Sequence, residues 1–205
     1  MPDMPVYPGD AKVTLIREKY LDADHYNAYF LSAGMHAGTH IDCPMHLLKS
    51  DRTISEYPLE SFSGPGRLVD AGSEREIDFR EEFEDKIHRG DIVLILTGTD
   101  EHYGSGRYYT DHPVITERLA NFFAAKRIRM LGVDMPSPDL PPFAVHKILL
   151  SQGIFILENL TNLDRLKGYE SFEVHAVPLK IRAEASLVRA YARLPGVFER
   201  TPECG

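Results

Sequence analysis

Apolar positions along the chain come in short compact runs, separated by polar stretches in which apolar residues recur at helical spacing. Val13, Leu15 and Ile16 predict a short edge strand after a segment punctuated by Pro5, Pro8 and Gly9. Residues 26–46, YNAYFLSAGMHAGTHIDCPMH, are aromatic and small with no Glu, Lys or Arg, a pattern of strand, turn and strand end rather than an amphipathic helix. GRLVD (66–70) and DIVLILT (91–97) predict strands, the second a continuous apolar run of the kind buried on both faces. Between them, Phe79, Phe83 and Ile87 at helical spacing, ending at Gly90, predict a helix. The pattern repeats with a helix over 116–126, capped by Thr116 and carrying Leu119, Phe122 and Phe123, then a strand at Met130–Val133. A third helix is predicted over Val145–Gln152, a fourth strand at Ile154–Leu157, and two closing strands over 174–179 and 187–191. Strands alternating with helices of this length imply an α/β fold with mixed β-sheet layers flanked by helices.

The length of 205 residues suits one domain spanning 1–205, with no internal repeat, low-complexity tract or linker. Lys and Arg number 23 against 31 Asp and Glu, and the net charge of -8 repels phosphate backbones, so no nucleic-acid partner is expected. No run approaches the roughly 20 apolar residues that cross a bilayer, and the opening MPDMPVYPGD lacks the basic start and apolar run of a signal peptide. The expectation is a cytoplasmic protein without a membrane partner. Its two cysteines, Cys43 and Cys204, are poor material for a disulfide framework and are expected to be reduced.

The densest polar cluster is HAGTHIDCPMH, which holds His36, His40, Asp42 and His46 within eleven positions. A metal ion needs neutral imidazole nitrogens and carboxylate oxygens converging at roughly 2.0 to 2.2 Å, so the ligands must share a face. All four residues have even numbers, and in an extended chain they fall on one side, with Ala37, Thr39, Ile41 and Met45 on the other. A straight strand at roughly 3.3 Å per residue would hold His36 and His40 about 13 Å apart, so the chain must bend. Gly38 permits the bend and Pro44 ends ladder pairing, while Gly38, Thr39 and Pro44 together oppose a helix. From the residues alone, His46 is a ligand, a proton shuttle or a spectator. Cys43, odd-numbered, points away from the cluster and is expected to pack.

HAGTHIDCPMH resembles the H-x-G-T-H-x-D-x-P-x-H signature of the cyclase family of metal-dependent hydrolases, which includes the bacterial kynurenine formamidases. PVYPGD, GDIVLILTG, LGVDMPSPD and AVHKILLSQGIFILENLTNL extend the resemblance over nearly the whole chain. It implies a swivelling β/β/α-type fold, and hydrolysis of N-formylkynurenine to kynurenine and formate in tryptophan catabolism. It also implies a homodimer, and His36, His40 and Asp42 as ligands of a first metal. Asp42 bridges to a second metal, which His146 holds and Glu158 shares, while His46 is the proton donor and acceptor. Without the cluster, His146 and Glu158 carry no signal of their own. The family's aromatic entrance is matched by Tyr103, Tyr108 and Tyr109, which are placed to stack on an aryl substrate. The chain has no Trp, and Tyr7 stands where formamidases use a substrate-contacting tryptophan. That departure leaves the chemistry intact and widens the substrate class to isatin-like lactams and other cyclic amides or lactones.

His, Asp and Glu donors without a thiolate suit Zn²⁺, with Mn²⁺ next, at one or two ions. Such an ion lowers the pKa of its water from 15.7 toward about 7 and stabilises a developing oxyanion, which a poorly electrophilic formamide needs. The Gly-rich loop 98–110 has neither a G-K-[ST] ending nor a G-x-G-x-x-G pattern and is expected to be a surface or substrate-side loop. A competing reading from another class is a non-catalytic module built around a structural ion.

Overall fold

The computed structural model describes residues 4–196. Cys204 lies outside the described residues. Twelve strands occur among the described residues: β1 (Thr14–Lys19), β2 (Ala28–Ser32), β3 (His40–Asp42), β4 (Ser63–Asp70), β5 (Glu76–Ile77), β6 (Ile92–Leu96), β7 (Val114–Ile115), β8 (Met130–Val133), β9 (Phe155–Glu158), β10 (Phe172–His175), β11 (Ala185–Leu187) and β12 (Tyr191–Arg193). The helices are α1 (Leu21–Asp24), α2 (Phe83–Lys86), α3 (Gly106–Thr110), α4 (Glu117–Lys126) and α5 (Ala144–Ser151). None of them is long and apolar enough to cross a membrane.

Eight strands form one mixed sheet in the order β11-β3-β9-β8-β6-β4-β10-β12. Its centre is parallel, with β4 beside β6, β6 beside β8 and β8 beside β9, and the strands outside that centre pair antiparallel. Flat, an eight-strand sheet at roughly 4.8 Å spacing would hold its edges about 34 Å apart. Yet β11 and β12 occupy the two edges and only residues 188–190 separate them, a reach of roughly 15 Å at most. The sheet must therefore curl, bringing its edges toward each other.

β6 shows how the core uses the curl. Its five residues are all buried: Val93 and Ile95 join the apolar cluster under α4 and α5, while Ile92, Leu94 and Leu96 join the cluster on the opposite face. The continuous run in the sequence is thus a period-two strand with apolar packing on both sides. The second cluster is closed by short 3-10 turns and loops, through Ile54, Phe62, Leu163 and Leu166, rather than by α-helices. Cys43 is a fully buried free thiol in that cluster, in keeping with a packing role.

The helix expected over 78–90 is cut to the single turn α2. Residues upstream of it are drawn into extended pairing, with β5 lying parallel to β7, and the Asp78 carboxylate accepts from Thr116 Oγ1 at 2.6 Å. Phe83 and Ile87 are nevertheless buried as the spacing required. α4 is as expected, with the Thr116 hydroxyl accepting from the Leu119 amide. The two closing strands resolve into three shorter ones, because Val177 and Leu179 are exposed and residues 188–190 carry the chain between sheet edges. β1 and β2 form a separate antiparallel ribbon.

Candidate active site

β3 lies between β11 and β9, and its pairing sets His40 directly across from Glu158. His40 and Asp42 project to one face of this strand, as the even numbering required. His36 and His46 arrive differently, each from a turn flanking the strand. Gly38, at φ 65, turns the chain between His36 and β3, in a backbone region where L-residues are strained. After β3, Pro44 opens a single 3-10 turn, Pro44–His46, that swings His46 back toward Asp42. The cluster is thus a short strand with two hooks.

α5 contributes the fifth side chain. Asp139, in the loop before the helix, accepts from the Val145 amide at 2.7 Å and the His146 amide at 3.3 Å, which satisfies two N–H groups of the first turn. Its other oxygen accepts from His146 Nδ1 at 2.5 Å, leaving His146 Nε2 to face the cluster. His40 is oriented in the same way, its Nδ1 donating to the Gly38 carbonyl at 2.8 Å so that Nε2 points inward. His40 Nε2 lies 3.3 Å from Glu158 Oε2, and His146 Nε2 lies 3.3 Å from Glu158 Oε1. His36 Nδ1 is 3.0 Å from Asp42 Oδ1, and His46 Nε2 is 3.9 Å from Asp42 Oδ2.

His40, Asp42, His146 and Glu158 are buried, whereas His36 and His46 are about one quarter exposed. Burial alone would lower the pKa of His40, but the Asp42 and Glu158 carboxylates overcome it and push it up to about 9. His146 behaves likewise: burial opposes the charge, while Asp139 and Glu158 push it up to about 10. Asp42, against its own burial, is held well below the usual carboxylate range by His40 and His36. His46 alone among these imidazoles is lowered, by burial first, with Asp42 opposing and His36 and His146 assisting.

The donor set passes a direct test for a cation. His40 Nε2, both oxygens of Asp42 and Glu158 Oε1 are buried without a hydrogen-bond partner, although each faces another of the group. Carboxylate lone pairs left so would cost several kcal/mol (roughly 1–3 each, more for charged groups). A divalent ion among them removes that cost. One ligand atom each from His40, Asp42 and Glu158 lie within 4.8 Å of one another, and so do those of His36, Asp42 and His46. Asp42 belongs to both sets.

These residues floor a cavity of about 200 Å³ whose wall includes Tyr7, Tyr109, Phe143 and Asn159. Tyr7 and Tyr109 meet edge to face with ring centroids 5.7 Å apart. Tyr103 and Tyr108, expected as substrate contacts, stand behind this wall. Tyr108 is fully buried, its hydroxyl donating to Asn159 Oδ1 at 2.7 Å, and Tyr103 packs on the Tyr108 ring while donating to the Pro5 carbonyl at 3.2 Å. Burial, with Tyr103 and Asp10 nearby, pushes the Tyr109 hydroxyl up to about 12.

A family model described as "Putative cyclase" matches residues 1–140. The chain belongs to the cyclase family. A kynurenine formamidase from Bacillus thuringiensis (strain Al Hakam) is 30% identical over 199 residues, covering 93% of this chain and 92% of the relative. Another kynurenine formamidase, from Bacillus anthracis, is 29% identical over 196 residues, with 93% and 92% covered. Among solved structures, isatin hydrolase A from Labrenzia aggregata, bound to benzyl benzoate, superposes with a TM-score of 0.83 over 95% of this chain and 90% of its own, at 24% identity. A structure described as a potential metal-dependent hydrolase with cyclase activity gives a TM-score of 0.74 at 26% identity, covering 93% and 91%.

For this cyclase-family chain, the structure brings together all six residues singled out as metal-binding or catalytic. Asp42 is their hub: His36 Nδ1 lies 3.0 Å, His40 Nε2 3.5 Å, His146 Nε2 3.8 Å and His46 Nε2 3.9 Å from its carboxylate. Sequence reasoning missed Asp139, although LGVDMPSPD held the signal of a second acidic residue shortly before a histidine-bearing helix. It also missed Asn159. At φ 56 this residue holds Tyr108 through Oδ1 and the Gly38 carbonyl through Nδ2, tying the aromatic loop to the turn before β3. Nothing in its local sequence marks that role.

Proposed function

We propose that the chain is a metal-dependent amidohydrolase that cleaves aryl formamides, with N-formylkynurenine hydrolysed to kynurenine and formate. One observation carries the reading: four buried, unpartnered donor atoms of His40, Asp42 and Glu158 converge on the floor of an aromatic-walled cavity. The name borne by the Bacillus relatives supports the choice of substrate.

His36, His40, Asp42, His146 and Glu158 hold the metal, with Zn²⁺ favoured over Mn²⁺ by a nitrogen and oxygen donor set without thiolate. When bound, the ion supplies a nucleophile at neutral pH and charge to stabilise the oxyanion of the attacked formyl group. His46, about one quarter exposed at the cavity side of the cluster, takes the proton released at attack and returns it to the leaving aryl nitrogen. Asp139 holds the His146 ring with Nε2 inward, and Tyr7 and Tyr109 hold the aryl ring. A lactam or lactone such as the isatin ring is the second substrate class, favoured by the smaller Tyr7 at the mouth.

The reading includes one catalytic domain over residues 1–205, acting in the cytoplasm as a homodimer. The ribbon of β1 and β2 supports the dimer: Leu15 (38%), Tyr29 (59%) and Leu31 (56%) are exposed on one face of it, an apolar surface suited to a second copy. The test is hydrolysis of N-formylkynurenine by chelator-stripped protein restored separately with Zn²⁺ and Mn²⁺, followed by kynurenine absorbance. Turnover restored by metal is the expected result. Rebinding of metal without turnover of any aryl formamide or lactam overturns the proposal.

A further inference from the structure

The cavity mouth carries a charge that hydrolysis itself does not use. Tyr7, Pro8, Gly9 and Asp10 form a tight turn, closed by the Asp10 amide donating to the Tyr7 carbonyl at 3.0 Å. Proline at the second position and Gly9 at φ 101 in the third are what such a turn requires. The turn folds Asp10 back over Tyr7, and both residues line the cavity with Tyr109.

The Asp10 carboxylate is exposed, and no Lys or Arg is among the described residues that line this cavity. Its negative charge contributes, after burial and Tyr103, to the upward shift of the Tyr109 hydroxyl, whose ring packs against Tyr7. A ligand whose aryl ring packs against the Tyr7 and Tyr109 pair, with its amide at the histidine cluster, extends a further substituent toward this carboxylate at the rim. An ammonium group there gains a partner, whereas a carboxylate meets like charge and no cation to offset it.

We propose that Asp10 is a specificity-determining residue that pairs with an ammonium group on the substrate beyond its aryl ring. The site thereby takes aryl amides bearing a cationic amine over those whose only side-chain charge is a carboxylate. This rests on the aryl formamide reading above and narrows it: N-formylkynurenine carries such an ammonium, and its deaminated counterpart does not.

The test is calorimetric binding of kynurenine and of deaminated kynurenine to metal-loaded wild type and to Asp10→Asn, which keeps the backbone turn and the side-chain shape. Wild type should bind kynurenine about fivefold more tightly, the scale of an exposed ion pair, and the preference should shrink at high ionic strength. In Asp10→Asn the ratio should fall to about one. Equal affinities in wild type, an unchanged ratio in the variant, or no binding of either ligand overturns the proposal. Turnover of the two N-formylated compounds, measured in parallel, separates this from the reading beneath it. If neither is hydrolysed while the binding preference and its loss persist, the formamidase reading falls and the ammonium site stands. If both are hydrolysed with equal kcat/KM, hydrolysis stands and Asp10 loses its role.

Discussion

The floor and the mouth of the cavity are built on opposite principles. The floor takes His40, Asp42 and Glu158 from paired strands and His146 from a capped helix, buries all four and fixes each imidazole through its outer nitrogen. The mouth takes Tyr7, Asp10 and Tyr109 from a turn and a short helix, with Tyr7 and Asp10 open to solvent. Metal binding needs atoms placed to a fraction of an ångström, which strand register and buried hydrogen bonds supply. Substrate choice is met by aromatic faces and a single charge, which tolerate looser support. Changes on the floor should therefore remove the reaction, and changes at the mouth should redirect it.

The largest effect is expected from Asp42→Ala and Glu158→Ala. Each should lose bound metal, by elemental analysis, by more than the roughly 10–100-fold that removal of an outer partner costs. Next, His46→Ala should keep its metal and lose about 10²–10⁴ in kcat, the usual worth of a positioned general acid–base. Loss of metal in step with activity would make His46 a ligand, as its place beside His36 and Asp42 allows. Asp139→Ala should weaken metal binding about 10–100-fold through His146, measured by competition with a chromophoric chelator. The smallest effect belongs to the mouth: Tyr7→Trp should shift KM for N-formylkynurenine about fivefold or less with kcat nearly unchanged, the scale of one aromatic contact. A collapse of kcat in that variant would erase the distinction between floor and mouth.

The same contrast explains what could be read from the sequence. Strands buried on both faces, such as β6, announce themselves as apolar runs, and the Thr116 cap and apolar spacing marked α4. His36, His40, Asp42 and His46 were legible because they crowd one short segment. Even numbering places His40 and Asp42 on one face of β3, whereas His36 and His46 join them through two turns rather than one bent strand. Glu158 meets His40 only through the β3–β9 pairing, a contact between distant segments that carries no local pattern. Tyr109 rather than Tyr108 lines the cavity because a single turn of α3 decides which adjacent ring faces inward, and five residues are too few to show a helical period. The helix expected over 78–90 failed because the pairing of β5 with β7 outweighed local spacing.

If the buried donor atoms form a catalytic metal site within a fold held by its own apolar clusters, metal restores turnover without being needed for folding. Stepwise addition of Zn²⁺ to chelator-stripped protein, with bound metal, N-formylkynurenine turnover and circular dichroism recorded on the same samples, tests it most directly. The prediction is turnover that rises with metal bound while the dichroism spectrum stays that of the folded protein. A spectrum that gains its folded form only as metal binds, with no turnover at saturation, would contradict it and make the ion structural.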